Sequence, residues 1–372
     1  MGVHFQFASA GRNFRLEGLS KRQSKYALEA NQIRPLAENQ RAIWLLEQAN
    51  PGDTIYNIGV AFRIRSPLNI NALNEAVHYL VDRHAALRTN YPSLNLEPVR
   101  WVHPETRLDF DVVDASSWTS SDLQQSLANL QNQPFDLGAD GVFRVRLYIL
   151  EQDSCVLEFV MHHISVDGWS IWIIINEIGR LYEQLITGPA KPSLPSIASE
   201  YDDFVDWQKE MLAGEQGQEM RDFWAHELSG ELLRLQLPAK SNHNSGEKFQ
   251  RAKVRYSLDH ELTEALRHLS RMEGCSLYTI ILSAFQILLH YCSGQEDILI
   301  GTPVHGRPQA RFAKKVGNFA NIVAIREQLD ESSTFYSLLH KTDATLQDAL
   351  LQQHYPIALI PDLLGPGIGK SG

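Results

Sequence analysis

CVLEFVMHHISVDGWS, residues 155–170, opens as an apolar run with the two-residue period of a β-strand. Cys155, Leu157, Phe159 and Met161 fall on one face, Val156, Glu158 and Val160 on the other. The run ends in His162 and His163, which the same alternation sends to opposite faces. Asp167-Gly168 then supplies a turn signal, and WSIWIIINEIGRLYEQLI (169–186) reads as a strongly apolar helix. Such a strand end, throwing one imidazole into a cleft ahead of a tight acidic turn, fits an acid–base site. Histidine titrates nearest neutrality, and Asp167 can fix local geometry by pairing with a cation. A lone histidine at a strand end is more often structural, so the reading depends on the rest of the chain.

A chain of 372 residues has room for two domains or lobes, and 44% hydrophobic with 21% charged residues is ordinary globular composition. The formal charge of −10 argues against a nucleic-acid partner, because phosphate contacts need a basic patch. Cys155, Cys275 and Cys292 lie in apolar sequence without metal-ligand spacing. No metal site is expected, and free thiols in a reducing cytosol are favoured over a disulfide framework. No apolar run reaches membrane-spanning length and the polar N-terminus lacks a signal-peptide core, which gives a cytoplasmic expectation and no membrane partner.

On the N-terminal side of the histidines, VFRVRLYIL (142–150) is a strand that a short polar turn joins to the next as an antiparallel hairpin. TIYNIGVAFRIRS (54–66) alternates as a further strand, and NINALNEAVHYLVDRH (69–84) is an amphipathic helix with Leu73, Val77, Leu80 and Val81 inward. PLAENQRAIWLLEQ (35–48) has helical spacing. Residues 1–34, rich in Arg and Lys, read as a flexible basic arm. TGPAKPSLPSIAS (187–199) is a proline-rich linker, dividing an N-terminal lobe (35–188) from a C-terminal one (189–372). Beyond it, YDDFVDWQ (201–208) is a helix anchored by Tyr201, Phe204 and Trp207. AKSNHNSGEK (239–248) reads as a loop. AKVRYSL (252–258), HELTEALRHLSRM (260–272), SLYTIILSAFQILLHYC (276–292) and DILIGTPV (297–304) then read as strand, helix, helix, strand. Ser276 is an N-cap, and Ser293-Gly294 a helix stop. The tail GPGIGKSG (365–372) has neither the spacing nor the following helix of a phosphate-binding loop.

Six of these stretches resemble, in order, the motifs of the condensation domains of nonribosomal peptide synthetases. HHISVDG (162–168) carries HHxxxDG; YDDFVDWQ matches YxDFxxWQ; GTPVHGR (301–307) resembles GTPVxGR, continued by VGNFAN (316–321). NQRAIW (39–44) is a shifted Gln-x-Arg-x-Trp, RHAALRT (83–89) is RHExLRT with Ala85 at the acidic position, and QQHYP (352–356) is a loose HQDxP. The resemblance runs from about Pro35 to Pro356. It implies an α/β (α+β) fold of two chloramphenicol-acetyltransferase-like lobes with mixed sheets, set as a V around a tunnel. The family's seventh motif and last strands have no counterpart here, so the C-terminal lobe is expected to be incomplete.

In that family, the amine of a carrier-bound aminoacyl thioester attacks a carrier-bound acyl or peptidyl thioester. The implied partners are donor and acceptor carrier proteins and neighbouring synthetase domains. Substrates ride on 4'-phosphopantetheine, and the chain itself binds no cofactor. By the same resemblance His163 is the catalytic residue, as general base or as a group that positions the amine and stabilises the tetrahedral intermediate. His162 packs inward, Asp167 is structural with Arg88 as its ion-pair partner, and Gly168 permits close backbone approach. Trp169, Ser170 and Asn321 line the tunnel. Two rivals stay open: a stand-alone HHxxxDG acyltransferase using acyl-CoA, and a truncated, inactive docking platform for carrier proteins.

Overall fold

The computed structural model describes residues 33–364 except 106–107, 140, 152, 189–190, 239–254 and 331. The basic arm up to residue 32, the loop 239–248 and the tail 365–372 lie outside the described residues. In chain order the N-terminal half holds β1 (Ile33–Arg34), α1 (Glu38–Ala49), β2 (Asn57–Ile64), α2 (Ile70–Arg83), β3 (Thr89–Asn90), β4 (Ser93–Leu94), β5 (Glu97–Pro98) and β6 (Arg100–Val102). It continues with β7 (Asp109–Asp114), α3 (Ser120–Gln131), β8 (Phe143–Glu151), β9 (Ser154–His162) and α4 (Gly168–Thr187). The C-terminal half holds α5 (Tyr201–Ala213), α6 (Glu215–Glu227), α7 (His260–Glu273) and α8 (Leu277–Ser293). β10 (Asp297–Val304), β11 (Asn321–Gln328), α9 (Phe335–Leu351) and α10 (Ile360–Leu364) follow. Ile33 and Arg34, read from sequence as the end of the arm, instead form β1 and pair with β6.

The alternation in residues 155–162 is used as expected. β8 and β9 form the antiparallel hairpin, and the sheet runs β2-β9-β8-β7, mixed because β7 and β8 are parallel. β9 is interior, and both its faces are buried. Cys155, Leu157, Phe159 and Met161 pack with Leu80 and Val81 of α2 and Ile174 and Ile178 of α4. Val160 packs with Trp44 and Phe135, and Val156 with Leu123 of α3. Each large apolar side chain sealed here contributes roughly 1.5–3 kcal/mol.

The C-terminal half is built round the antiparallel pair β10–β11, packed by α8 and α9. Ser276 caps α8 by accepting the Thr279 N–H at 3.0 Å, and Gly294 ends it at φ +69°, both as the sequence indicated. AKVRYSL does not behave as read: its described part, residues 255–258, carries no strand pairing. Alternation supplies a face but not a partner, and among the described residues β10 and β11 pair only with each other. Tyr201 and Phe204 of α5 pack with Ala37 on one side and Phe312 and Phe319 on the other, tying the two halves together. Asp202 adds ion pairs to Arg34 and Arg100. Among the described residues no single helix is long and apolar enough to cross a membrane.

One ionisable side chain interrupts the sealed β9. Glu158 is 2% exposed and accepts a 3.0 Å hydrogen bond from Tyr148 Oη. Burial raises its pKa from 4.5 to about 7, against the opposing pull of that bond and of Arg146. The folded state therefore holds this proton more tightly than the unfolded chain. Its contribution is fully present below 4.5 and is lost as pH rises through about 7. Glu158→Gln is expected to flatten the pH dependence of the melting temperature across that window and to raise it on the alkaline side. An unchanged profile would show that Glu158 is ionised in the fold at neutral pH.

Candidate active site

The strand parity puts the two histidines in different surroundings. His162 is sealed on the α1 side of the sheet. Its Nδ1 accepts the Ile164 N–H at 3.2 Å, so Nε2 carries the proton and faces Glu47 Oε1 of α1, also at 3.2 Å. The Phe135 ring edge closes the pocket. His163 follows in the turn after β9, half-buried, and its main-chain N–H donates to Tyr56 O at 2.8 Å. His163 Nδ1 is buried without a hydrogen-bond partner, and the main-chain groups of His163 and Val166 and the nearby Asp167 pull its pKa upward. Burial outweighs them and is the main reason its pKa lies below the ordinary 6.5, so the ring is neutral near neutrality.

The loop between the histidines and Asp167 hangs from α1. Gln40 Nε2 donates to Ile164 O at 2.8 Å and to Tyr91 Oη at 3.2 Å; Tyr91 Oη meets Ser165 Oγ at 2.7 Å, and Trp44 Nε1 donates to Tyr91 O at 3.0 Å. Helical spacing alone marks α1 as packing and does not single out these residues. The signal lies in Gln40, Trp44 and Glu47, which share one helical face at i, i+4 and i+7.

Asp167 points across to the C-terminal half. As N-cap of α4 it accepts the Ser170 N–H at 2.8 Å, and it receives a two-pronged contact from Arg307, Nη1 to Oδ2 at 2.7 Å and Nη2 to Oδ1 at 3.1 Å. The Phe319 N–H donates to Oδ2 at 3.0 Å, and the Phe319 ring lies under the guanidinium at 4.4 Å. The expected Arg88 partner is therefore replaced by Arg307. Arg88 closes the turn at Ala85–Arg88 and donates through Nη1 to His103 O, on the β6 side, while Asp167 faces residues 307–319. Tight backbone geometry holds that loop. Gly306 sits at φ +63°, where a Cβ would lie 1.8 Å from Phe319 O, and a Cβ on Gly317 would meet the Tyr201 ring at 2.4 Å.

Four other residues depart from expectation or refine it. Ser170 lines nothing: it is fully buried, and its Oγ lies 2.8 Å from Asp167 Oδ1, 2.9 Å from Gly317 O and 3.1 Å from Gly317 N. A hydroxyl that both donates and accepts suits this knot, which is why it is drawn in. Gly168 is exposed and a Cβ there would meet nothing within 4 Å, so close backbone approach does not account for it. Trp169 is half exposed, with Nε1 on Ala313 O at 2.9 Å and its ring 6.3 Å from that of His305. Asn321, at the head of β11, donates to Gln353 O and Tyr355 O and accepts from the Ile357 N–H. It borders a small cleft with Trp207, Gly306 and His354. Burial, helped by His305, lowers the His354 pKa.

A family model described as a condensation domain matches residues 30–366. A linear gramicidin synthase of Brevibacillus parabrevis is 34% identical over 334 residues, 89% of this chain and 6% of that protein. Phosphinothricin tripeptide synthetase PhsC of Streptomyces viridochromogenes is 31% identical over 333 residues, 88% of this chain and 30% of that one. The chain thus spans a minor part of these curated relatives. Among solved structures, the first condensation domain of the calcium-dependent antibiotic synthetase superposes with a TM-score of 0.78 at 20% identity, covering 90% of this chain and 79% of that one. The X-domain from teicoplanin biosynthesis gives 0.75 at 26% identity, covering 90% and 74%.

Removing one side of the Asp167–Arg307 pair strands a buried charge, so Asp167→Asn and Arg307→Ala are each expected to cost about 3–5 kcal/mol of stability. The double variant should lose less than the sum, whereas Arg88→Ala should add independently to Asp167→Asn. Denaturant melts of the two cycles check this; additive loss in the Asp167–Arg307 cycle would contradict the pairing.

Proposed function

Because the chain belongs to the condensation-domain family, we propose that it joins a carrier-bound acyl or peptidyl thioester to the amine of a carrier-bound aminoacyl thioester. The fold is the family's α/β, chloramphenicol-acetyltransferase-like one. The observation that carries the reading is His163: a half-buried imidazole directly after β9, uncharged near neutrality because burial lowers its pKa, with Nδ1 not committed to any hydrogen bond.

The amine nitrogen attacks the thioester carbonyl and the C–N bond forms. His163 Nε2 takes the proton that the nitrogen sheds, or orients that N–H. The tetrahedral centre collapses, the C–S bond breaks, and the departing sulfur takes up a proton. Aminolysis of a thioester is downhill, so tethering both substrates supplies proximity and one positioned base suffices. Asp167 takes no part in proton transfer, since both its oxygens are committed to Arg307, Ser170 and Phe319.

Donor and acceptor carrier proteins with 4'-phosphopantetheine arms, and neighbouring synthetase domains, are the partners this reading requires. The synthase and synthetase relatives support them. The buried free thiols of Cys155 and Cys275 support a reducing, cytoplasmic setting.

With two loaded carrier proteins, His163→Ala is expected to lower peptide formation by about 10²-fold or more while leaving the melting temperature unchanged. The wild-type rate should rise with pH as the His163 imidazolium is emptied, with its midpoint below 6.5. Retained activity in the variant, or turnover with acyl-CoA in place of the donor carrier, would point to a different chemistry.

A further inference from the structure

The turn that carries His163 is closed by the side chain before it. His162 O accepts the Ser165 N–H at 3.0 Å, so residues 162–165 form a β-turn with His163 as its second residue. His162 Nδ1 accepts the Ile164 N–H at 3.2 Å, two residues on. The imidazole thus does here what an Asn or Asp side chain does in other turns. That contact exists in one tautomer only. A ring nitrogen that carries a proton repels an N–H, so Nδ1 has to be bare and the proton has to sit on Nε2.

Glu47 of α1 holds the proton there, its Oε1 accepting from His162 Nε2 at 3.2 Å. The two side chains are 2% and 9% exposed, so bulk water cannot stand in for the carboxylate. The Phe135 and Tyr56 rings pack on the imidazole, with centroids 5.9 and 6.2 Å from its own, and keep it from swinging to another partner. The other ties on the turn do not depend on Glu47: His163 N–H to Tyr56 O, and Gln40 Nε2 to Ile164 O, each at 2.8 Å. Neither of them spans His163. The bond from the Ile164 N–H to His162 Nδ1 does, and the direction of that N–H follows ψ of His163. A His162 ring in the other tautomer would release the residue that bears the second imidazole.

We propose that Glu47 is a positioning residue for the reaction at His163. By accepting the Nε2 proton of His162 it keeps Nδ1 bare, and so clamps the turn that aims His163. The inference rests on the reading of His163 as the reactive group and deepens it, but its first readout needs no turnover.

Nitrogen NMR of the full chain carrying isotope-labelled histidine reads the tautomer. His162 is expected to show a protonated Nε2 and a bare, hydrogen-bonded Nδ1 at neutral pH. Glu47→Gln still presents an oxygen and should keep that pattern. Glu47→Leu removes the acceptor, so the proton should spread to Nδ1 and the His163 ring signals should move. With two loaded carrier proteins, Glu47→Leu should lower kcat by about 10- to 100-fold with KM unchanged, and Glu47→Gln should restore most of it. His162→Asn offers the Ile164 N–H an oxygen that has no tautomer, so in that background Glu47→Leu should cost nothing further. Wild-type kcat in Glu47→Leu overturns the proposal, as does a loss that persists in full in the His162→Asn background. If Glu47→Leu fails to fold, the wild-type spectrum decides, a proton on His162 Nδ1 overturning the proposal by itself. A wild-type chain that forms no peptide counts against the condensation reading alone. The His163 signals of Glu47→Leu then decide this inference, and unmoved signals overturn it.

Discussion

The contact between Arg307 and Asp167 is the constraint on which the site depends. Both groups are almost wholly buried, and taking them out of water costs several kcal/mol each. That cost is offset only because the remaining valences are used: Ser170 on one carboxylate oxygen, the Phe319 N–H on the other, Lys315 O and Ser170 Oγ on the guanidinium. Arg307 Nε alone is left buried without a partner. Such a pair adds little net stability, but it is intolerant of misplacement. It fixes where the start of α4, five residues after His163, stands relative to the loop after β10.

Much of the N-terminal half is legible because its signals are local. Alternation over 155–162 determines the strand and the hairpin, and His162 lies with Val160 against Phe135, as that parity requires. The caps of α8 can likewise be read from Ser276 and Gly294. What escapes such a reading is non-local. Arg88 and Arg307 are equally cationic in sequence, and nothing in the spacing says which one faces Asp167. Ser170 resembles any polar residue in the first turn of a helix until the loop carrying Gly317 is laid over it. AKVRYSL has a strand's pattern, but a pattern cannot specify the edge it would pair with.

α1 shows how a site can rest on residues that never approach the reaction. Gln40, Trp44 and Glu47 hold the backbone of Ile164, the main-chain carbonyl of Tyr91 and the proton on His162. His163 is then placed by the strand on one side and by this helix on the other, and its ring needs few contacts of its own. A half-buried imidazole with an uncommitted nitrogen can persist because its neighbours carry the rigidity.

The loop that receives Asp167 works through its main chain. Gly317 N and O and the Phe319 N–H make the contacts, Lys315 O holds Arg307 in place, and Gly306 and Gly317 provide the shape that lets them. The N-terminal half therefore recognises a backbone path more than a set of side chains. For recombining halves from different members of this family, the portable unit is that path together with Arg307 and its two glycines. Phe312, Lys315 and Val316 are buried and have to travel with that path, whereas exposed side chains such as Gln309 and Lys314 are free to diverge, and the proline-rich connection at 191–199 is a natural place to cut.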